Sequence, residues 1–368
     1  MRRIGGILSL LTMCVVAGAG SAAAAQIQLV ATHWGDNAGI EATWQGFSEA
    51  NDRIDVTFRP IAWEEYVDKL TVEIAAGAGP DLLTLMGWET ADMNFRSWLR
   101  DGFLLDLTPY WRRDRAELQA DEWFPFIIPM ASYQGRLAGL PYGWSVFNAV
   151  TYNADLFDQA GVAYPDDTWT WDTLREMSRK FVRLAGDGSV IQRGLAPGDL
   201  AWWTVETMVH SRGGTVFNPA ETGLALSNAA TMDAMASALR FVQERAAVPG
   251  LDWVQGNVAL RMAAIHWATV DKTQAKFPAR EGIAVTPMDS VTGQRRGNLV
   301  EIMLTGVNRN TKNPEAAWEA MKWFTLHYAE AAQEAWGVIQ FVPVSPRGLQ
   351  AFLRQPADAV NTPFNRDL

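Results

Sequence analysis

Apolar residues in this chain fall at two different spacings, and the switch from one to the other predicts its elements. IQLVATHW is a short apolar run rich in branched residues and reads as a strand. AGIEATWQGFSEAN repeats its apolar positions at three- and four-residue steps, which is one face of a helix. DVTFRPI reads as a second strand, and EEYVDKLTVEIAA as an amphipathic helix with Tyr66, Leu70 and Ile74 on one side. The chain leaves that helix through AAGAGPDLLTLMGWE. Gly77 and Gly79 accept the left-handed backbone that ends a helix, and Pro80 has no amide to prolong it. LLTLM is then a continuous apolar run, the pattern of a strand covered on both faces. A strand-helix-strand-helix series of this kind implies α/β lobes, each with a mostly parallel sheet flanked by helices.

Farther along, GRLAGLPYGWSVFNAVTYNADLF carries an extended run straight into a helix. AYPDDTWTWDTLREMSRKFVRL is a proline-bounded loop followed by a helix that Thr170 is placed to cap. The stretch from about 155 to 270 is mainly helical in pattern, with a turn at Gly213. EGIAVTPM and NLVEIMLTGVNRN form a second extended pair, and NPEAAWEAMKWFTLHYA returns to helix. The chain has no fixed-period repeat and no low-complexity tract.

Composition changes the picture at the start of the chain. MRRIGGILSLLTMCVVAGAGSAAAA has two arginines, a short apolar segment and a small-residue site at Ala23, Ala24 and Ala25, so residues 1–25 are expected to be a cleavable export signal. Met13 before Cys14 does not suit a lipoprotein cleavage box. Cys14 is the chain's single cysteine, so the exported chain from Gln26 would have no disulfide and would rely on a large core. Its remaining 343 residues suggest two lobes. Without Arg2 and Arg3 there are 29 basic side chains against 41 acidic ones, a formal charge of −12, which argues against nucleic acid as a partner. No long apolar stretch follows the signal.

Seventeen tryptophans then have to be placed. Trp44 with Ile40 and Phe47, Trp98 with Phe95, and Trp318 with Met321 and Thr325 sit at helical spacing and are assigned to the core. Others close predicted strands: Trp34 after QLVATH, Trp88 after LLTLMG, and Trp144 after GLPYG. In sheets flanked by helices, ligands bind at the carboxyl ends of the strands. A carbohydrate presents hydroxyls that need directional partners and C–H faces that stack on rings. Trp34 with Asp36, Trp88 with Glu89, and Trp63 with Glu64 offer both. Each ring contact contributes on the order of 0.5 to 1.5 kcal/mol beyond area burial. Micromolar affinity requires only about 8 kcal/mol, within reach of a few such contacts and charge-assisted hydrogen bonds.

In order along the chain run AAGAGPDLL, DGFLLDLTPYW, GRLAGLPYG, TYNADLFDQAGV, DTWTWDTL, GGTVFNP, QGNVALRMAAIHW, EGIAVTPM, GVNRNTKNPEAAWEAMKWF and FVPVSP. In that order, covering nearly the whole exported chain, these motifs resemble the sugar-binding group of ABC-importer extracellular solute-binding proteins, family 1, the group of maltose-binding protein. The resemblance implies a two-lobed periplasmic-binding-protein fold with the ligand in the cleft between lobes, hinge closure on binding, and delivery to membrane permease subunits with their ATPase. It implies a monomer without cofactor or metal, and a periplasmic location. Residues 26–144 plus 285–326 are expected in the N-terminal lobe, and 145–284 plus 327–368 in the C-terminal lobe. Crossings are expected near residues 144–148 and 282–286 and after about 323.

By the same resemblance, Trp267 ends a strand and stacks on sugar; the other second-lobe candidates are Phe341 and one of the pair Trp202 and Trp203 at a predicted helix start, where one faces the core and the other, taken as Trp203, the cleft. Tyr142 and Trp144 stand at the first crossing, where they touch ligand or pack the hinge. Glu301 lies in the returning segment, where several relatives carry glycines and a tryptophan. Two other readings use the same residues. A glycosidase would need two carboxylates about 5 to 9.5 Å apart, but the chain lacks GxSxG, HExxH and Walker A motifs. A polyamine would also suit carboxylates beside aromatic walls, whereas a glycerol phosphate would call on Arg59 or Arg96. His33, His210, His266 and His327 are too scattered to suggest a metal site.

Overall fold

The computed structural model describes residues 25–88, 95–218, 223–264, 280–293, 296–337, 339 and 341–354. Strand β1 (Ile27–Trp34), helix α1 (Ala38–Ala50), strand β2 (Ile54–Ile61), helix α2 (Trp63–Ala75) and strand β3 (Leu82–Trp88) follow the alternation read from the sequence. Gly77 and Gly79 both have positive φ beyond the end of α2, as the helix-stop reading requires. Next come β4 (Gly139–Phe147) and β5 (Ala149–Asn153), separated by the single residue Asn148. Helices α3 (Trp171–Lys180), α4 (Trp202–Arg212) and α5 (Ala229–Gln243) follow. The chain returns through β6 (Leu260–Ala263), β7 (Glu281–Ala284) and β8 (Leu299–Val307), followed by α6 (Pro314–Trp336), β9 (Val342–Pro343) and a last described helix over Pro346–Leu353.

Two sheets organise two cores. The first has the order β9-β4-β8-β3-β1-β2, and the second the order β6-β5-β7. In the first, β1 pairs in parallel with β2 and β3, whereas β8 runs antiparallel to both β3 and β4, and β9 antiparallel to β4. In the second, β5 is antiparallel to both neighbours. Strand direction is therefore more mixed than the expected mostly parallel sheets. The reason lies in the crossings: β4 leaves toward the second lobe and β8 comes back from it, so the two lie side by side in opposite directions.

Trp44, Trp98 and Trp318 are all buried in the first core, as their spacing implies. Glycines let α1 and α6 approach closely: a Cβ on Gly39 would lie 3.1 Å from the Ala332 Cβ, and one on Gly46 would lie 3.1 Å from the Trp323 ring. Thr170 caps α3 with a reciprocal Thr173 contact. The described residues from 327 onward, assigned by sequence to the second lobe, pack on the first core instead. Helix α6 runs unbroken through that boundary and packs on α1, and β9 pairs with β4 in the first sheet. Where the lobes divide is a long-range pairing property, which local pattern does not carry.

Candidate functional site

At the carboxyl end of β1 the backbone builds an aromatic corner. Strands β1 and β2 pair in register up to Trp34 opposite Ile61, so α2, which starts two residues later, begins beside Trp34. The Trp34 and Trp63 rings meet edge to face at 5.6 Å, and Tyr66, three residues on along α2, meets Trp34 the same way at 5.5 Å. The Tyr66 hydroxyl donates to the Thr84 carbonyl at 2.7 Å and so fastens α2 to β3. On the other side His33 stacks on Trp34 at 4.5 Å. Burial lowers the His33 pKa to about 4, so this ring is neutral near pH 7. Trp63 is 48% exposed, and the carboxylates of Asp36 and Glu64 are also at the surface. Asn37 accepts from the Ile40 amide at 3.0 Å and caps α1 immediately after Asp36. The corner thus has ring faces with exposed acidic residues close by in sequence, residue types that polyhydroxyl solutes can use.

A second group of sequence candidates meets in the sheet. Glu301 on β8 pairs directly with Trp88 on β3 and with Ser145 on β4. Glu301 is buried, and burial pushes its carboxyl pKa up to about 8, leaving it protonated at neutral pH. Trp88 ends β3 as expected, whereas Glu89 and Trp267 lie outside the described residues.

Tyr142, Trp144 and Phe341 are core residues of the first lobe. Tyr142 is buried against Tyr328 at 4.8 Å, Phe324 at 5.1 Å and Phe341 at 6.5 Å. Trp144 packs edge-on to Phe124 and Phe126 at 5.4 and 5.3 Å. It does not end its strand, because β4 continues to Phe147. Phe341, expected from the second lobe, instead packs over Gly143 of the first sheet, where an added Cβ would lie 2.6 Å from its own Cβ.

The second lobe contributes α4. Its first residue, Trp202, is 46% exposed, while Trp203 is half-buried, with its ring 5.9 Å from the Phe147 ring at the edge of the first core. Sequence reasoning passed over Asn148, which lies between β4 and β5 and hydrogen-bonds into α4. Its signal was available: a polar, turn-favouring residue inside the apolar run VFNAV.

The groups proposed for a phosphate ligand have other neighbours. Arg59, a candidate phosphate ligand, is engaged by Glu73 at 2.7 Å, and the Arg96 guanidinium sits 5.9 Å from both the Phe95 and Tyr133 rings. Among the described residues, no cluster of three His, Cys, Asp or Glu side chains is arranged to hold a metal ion.

Comparison with known proteins agrees with this architecture. The ABC substrate-binding protein of Listeria monocytogenes in complex with cycloalternan superposes with a TM-score of 0.76 at 21% identity, covering 91% of this chain and 85% of that one. The maltose/maltodextrin-binding domain of Bdellovibrio bacteriovorus bound to maltotriose gives 0.70 at 20% identity, over 93% and 86%. A solute-binding protein of Agrobacterium radiobacter in complex with ribitol gives 0.71 at 20% identity, over 92% and 85%. These likenesses establish the two-lobed fold. A binding protein of Brucella abortus is 24% identical over 331 residues, which cover 84% of this chain and 74% of the relative. Residues 32–330 match the model for bacterial extracellular solute-binding proteins, and the chain belongs to that family.

Proposed function

We propose that the protein is the solute-capturing subunit of an ABC importer and that its solute is a sugar or a polyol. The observation that carries this reading is the Trp34–Trp63 corner, where a half-exposed indole stands beside the surface carboxylates of Asp36 and Glu64 at a strand end. Solved structures of the same fold carry cycloalternan, maltotriose and ribitol, all polyhydroxyl compounds, which supports the same solute class here.

In this reading the first lobe offers Trp34, Asp36, Trp63 and Glu64, with Trp88 and Glu89 at the end of the neighbouring strand, and the second offers Trp203 and Trp267. Tyr142, Trp144, Phe341 and Glu301 hold the sheet beneath them. Ligand touching both lobes favours the closed form in proportion to the contacts that only this form makes. The protein acts as an exported monomer in the periplasm, its signal removed near Ala25, and hands its solute to a permease pair driven by a separate ATPase. It performs no chemistry on the solute.

Thermal melting against maltotriose, mannotriose, ribitol, tagatose, glycerol 3-phosphate and spermidine tests this. A ligand at a hundred times its dissociation constant adds about 2.7 kcal/mol. A sugar or polyol that raises the melting temperature and is recovered unchanged supports the proposal. A shift with spermidine or glycerol 3-phosphate alone replaces the solute class, and consumption of a sugar would make the protein a glycosidase.

A further inference from the structure

Asn148 is a fully buried residue with φ of 63°, placed at the point where the chain passes from the first sheet to the second. Asparagine is one of the few residues with a side chain that tolerates this left-handed backbone. The amide nitrogen donates to the Trp203 carbonyl at 3.0 Å and to the Thr207 hydroxyl at 2.5 Å, and the amide oxygen accepts from the Thr204 hydroxyl at 2.8 Å. Its backbone carbonyl accepts from the Thr286 hydroxyl at 3.0 Å, just beyond β7, in the second crossing segment. One residue therefore joins the outgoing crossing, the second crossing and the first turns of α4.

Helix α4 starts without a side-chain cap: its N-cap position is Ala201. The Asn148 amide supplies side-chain bonding to that end from outside the helix, through Trp203, Thr204 and Thr207. The residue it holds most directly, Trp203, is also the one whose ring lies against Phe147 of the first lobe.

We propose that Asn148 is a positioning residue for solute capture: it locks the N-terminal turn of α4 to both crossing segments, so that the Trp203 ring is presented to the cleft in one orientation set by the hinge. This rests on the sugar or polyol reading of the cleft. The lock couples lobe position to Trp203, because a change of backbone torsion at Asn148 cannot occur without moving or breaking the bonds to α4. Apolar contacts alone would let α4 rotate independently of the crossings. Three directional hydrogen bonds in a buried site do not, since each unmade bond leaves part of the buried Asn148 amide unsatisfied.

The test uses N148G, whose glycine accepts the positive φ but removes the amide, and T207V, which keeps Asn148 and deletes one of its partners. Both are compared with W203A and with the N148G/W203A double variant. Affinities are measured for maltotriose, mannotriose and ribitol, and hydrogen exchange is followed in the unliganded protein. N148G is expected to weaken binding at least tenfold and T207V at least threefold. Adding N148G to W203A should cost less than a further twofold, because Asn148 acts through Trp203. Independently of any ligand, the amides of residues 203–207 should exchange at least tenfold faster in N148G, while those of α5 stay unchanged. If N148G weakens the wild type and W203A equally, or if exchange in α4 is unaltered, the proposal is overturned. If none of the three solutes binds the wild type, the solute reading has failed, and the exchange result still decides whether Asn148 locks α4.

Discussion

Trp34 and Trp63 meet edge to face with their ring centres 5.6 Å apart, and they differ sharply in what surrounds them. Trp63 is 48% exposed at the first position of α2, whereas Trp34 is also packed by Tyr66 and His33. Truncation should therefore separate binding from stability. Trp63→Ala is expected to weaken sugar binding at least tenfold, the equivalent of about 1.4 kcal/mol, while the unliganded melting temperature moves by only a few degrees. Trp34→Ala should lower both, since it also removes edge contacts worth on the order of 0.5 to 1.5 kcal/mol each. Calorimetric titration and melting of the two variants side by side would check this, and a Trp63 variant with full affinity would remove the corner from the binding site.

Tyr142 supplies a contrasting case. Its ring is enclosed by Phe324, Tyr328 and Phe341, and its buried hydroxyl has no hydrogen-bond partner among the described residues. A buried hydroxyl without a partner carries a desolvation cost. Tyr142→Phe is accordingly expected to leave melting unchanged or raise it slightly, with solute affinity within twofold of wild type. Affinity that drops tenfold without loss of stability would place the hydroxyl on the ligand.

The contrast between these two sites shows how far the sequence could be read. Trp34 ends its strand, and the spacing of IQLVATHW already says so, because strand β1 and helix α1 are fixed by local pattern. Gly77, Gly79 and Thr170 likewise act through local backbone geometry and were legible. Trp144 follows GLPYG in the same manner, yet β4 runs on to Phe147 because pairing with β8 holds the extended backbone. The placement of Phe341 and of α6 in the first lobe depends on partners far away in sequence, at Gly143 of β4 and at α1. Asn148 was hidden for a related reason: its three partners in α4 lie more than fifty positions along the chain.

Arg212, at the end of α4, and Asp289 form a largely buried ion pair at 2.5 Å. The second carboxylate oxygen of Asp289 accepts from the amides of Val291 and Thr292 at 3.1 and 2.8 Å, so this one side chain anchors the turn after residue 289 as well as the end of α4. Removing one member of a buried pair costs about 3 to 5 kcal/mol where the other charge is left alone; Asp233, 4.0 Å from Arg212, offsets part of that loss here. Asp289→Ala should show that loss in urea denaturation. Asp289→Asn, which retains an acceptor oxygen for the turn, should lose less.

Glu301 gives the protein an unusual dependence on alkaline pH. Burial raises its pKa from 4.5 to about 8, so between these values the folded chain holds a proton that the unfolded chain has released. The contribution of this group to stability is thus fully present below about pH 4.5 and is lost as pH rises through about 8, with a slope of at most about 1.4 kcal/mol per pH unit. His33 acts in the opposite sense in a different window: its pKa is lowered to about 4, and its contribution is lost as pH falls from 6.5 toward 4. Asp199, raised by burial to about 6, titrates with the same sign as Glu301 but lower on the scale. Of these three groups only Glu301 titrates between pH 6.5 and 8, and comparison with a variant at that position separates its share. Wild-type protein should lose stability steadily across it, and Glu301→Gln, which keeps the shape and cannot ionise, should flatten the curve. Melting or urea titration at half-unit steps would show the difference. Equal slopes in the two proteins would mean that Glu301 is ionised in the folded state and is stabilised there by a charge or by solvent, making it available as an acceptor for the solute.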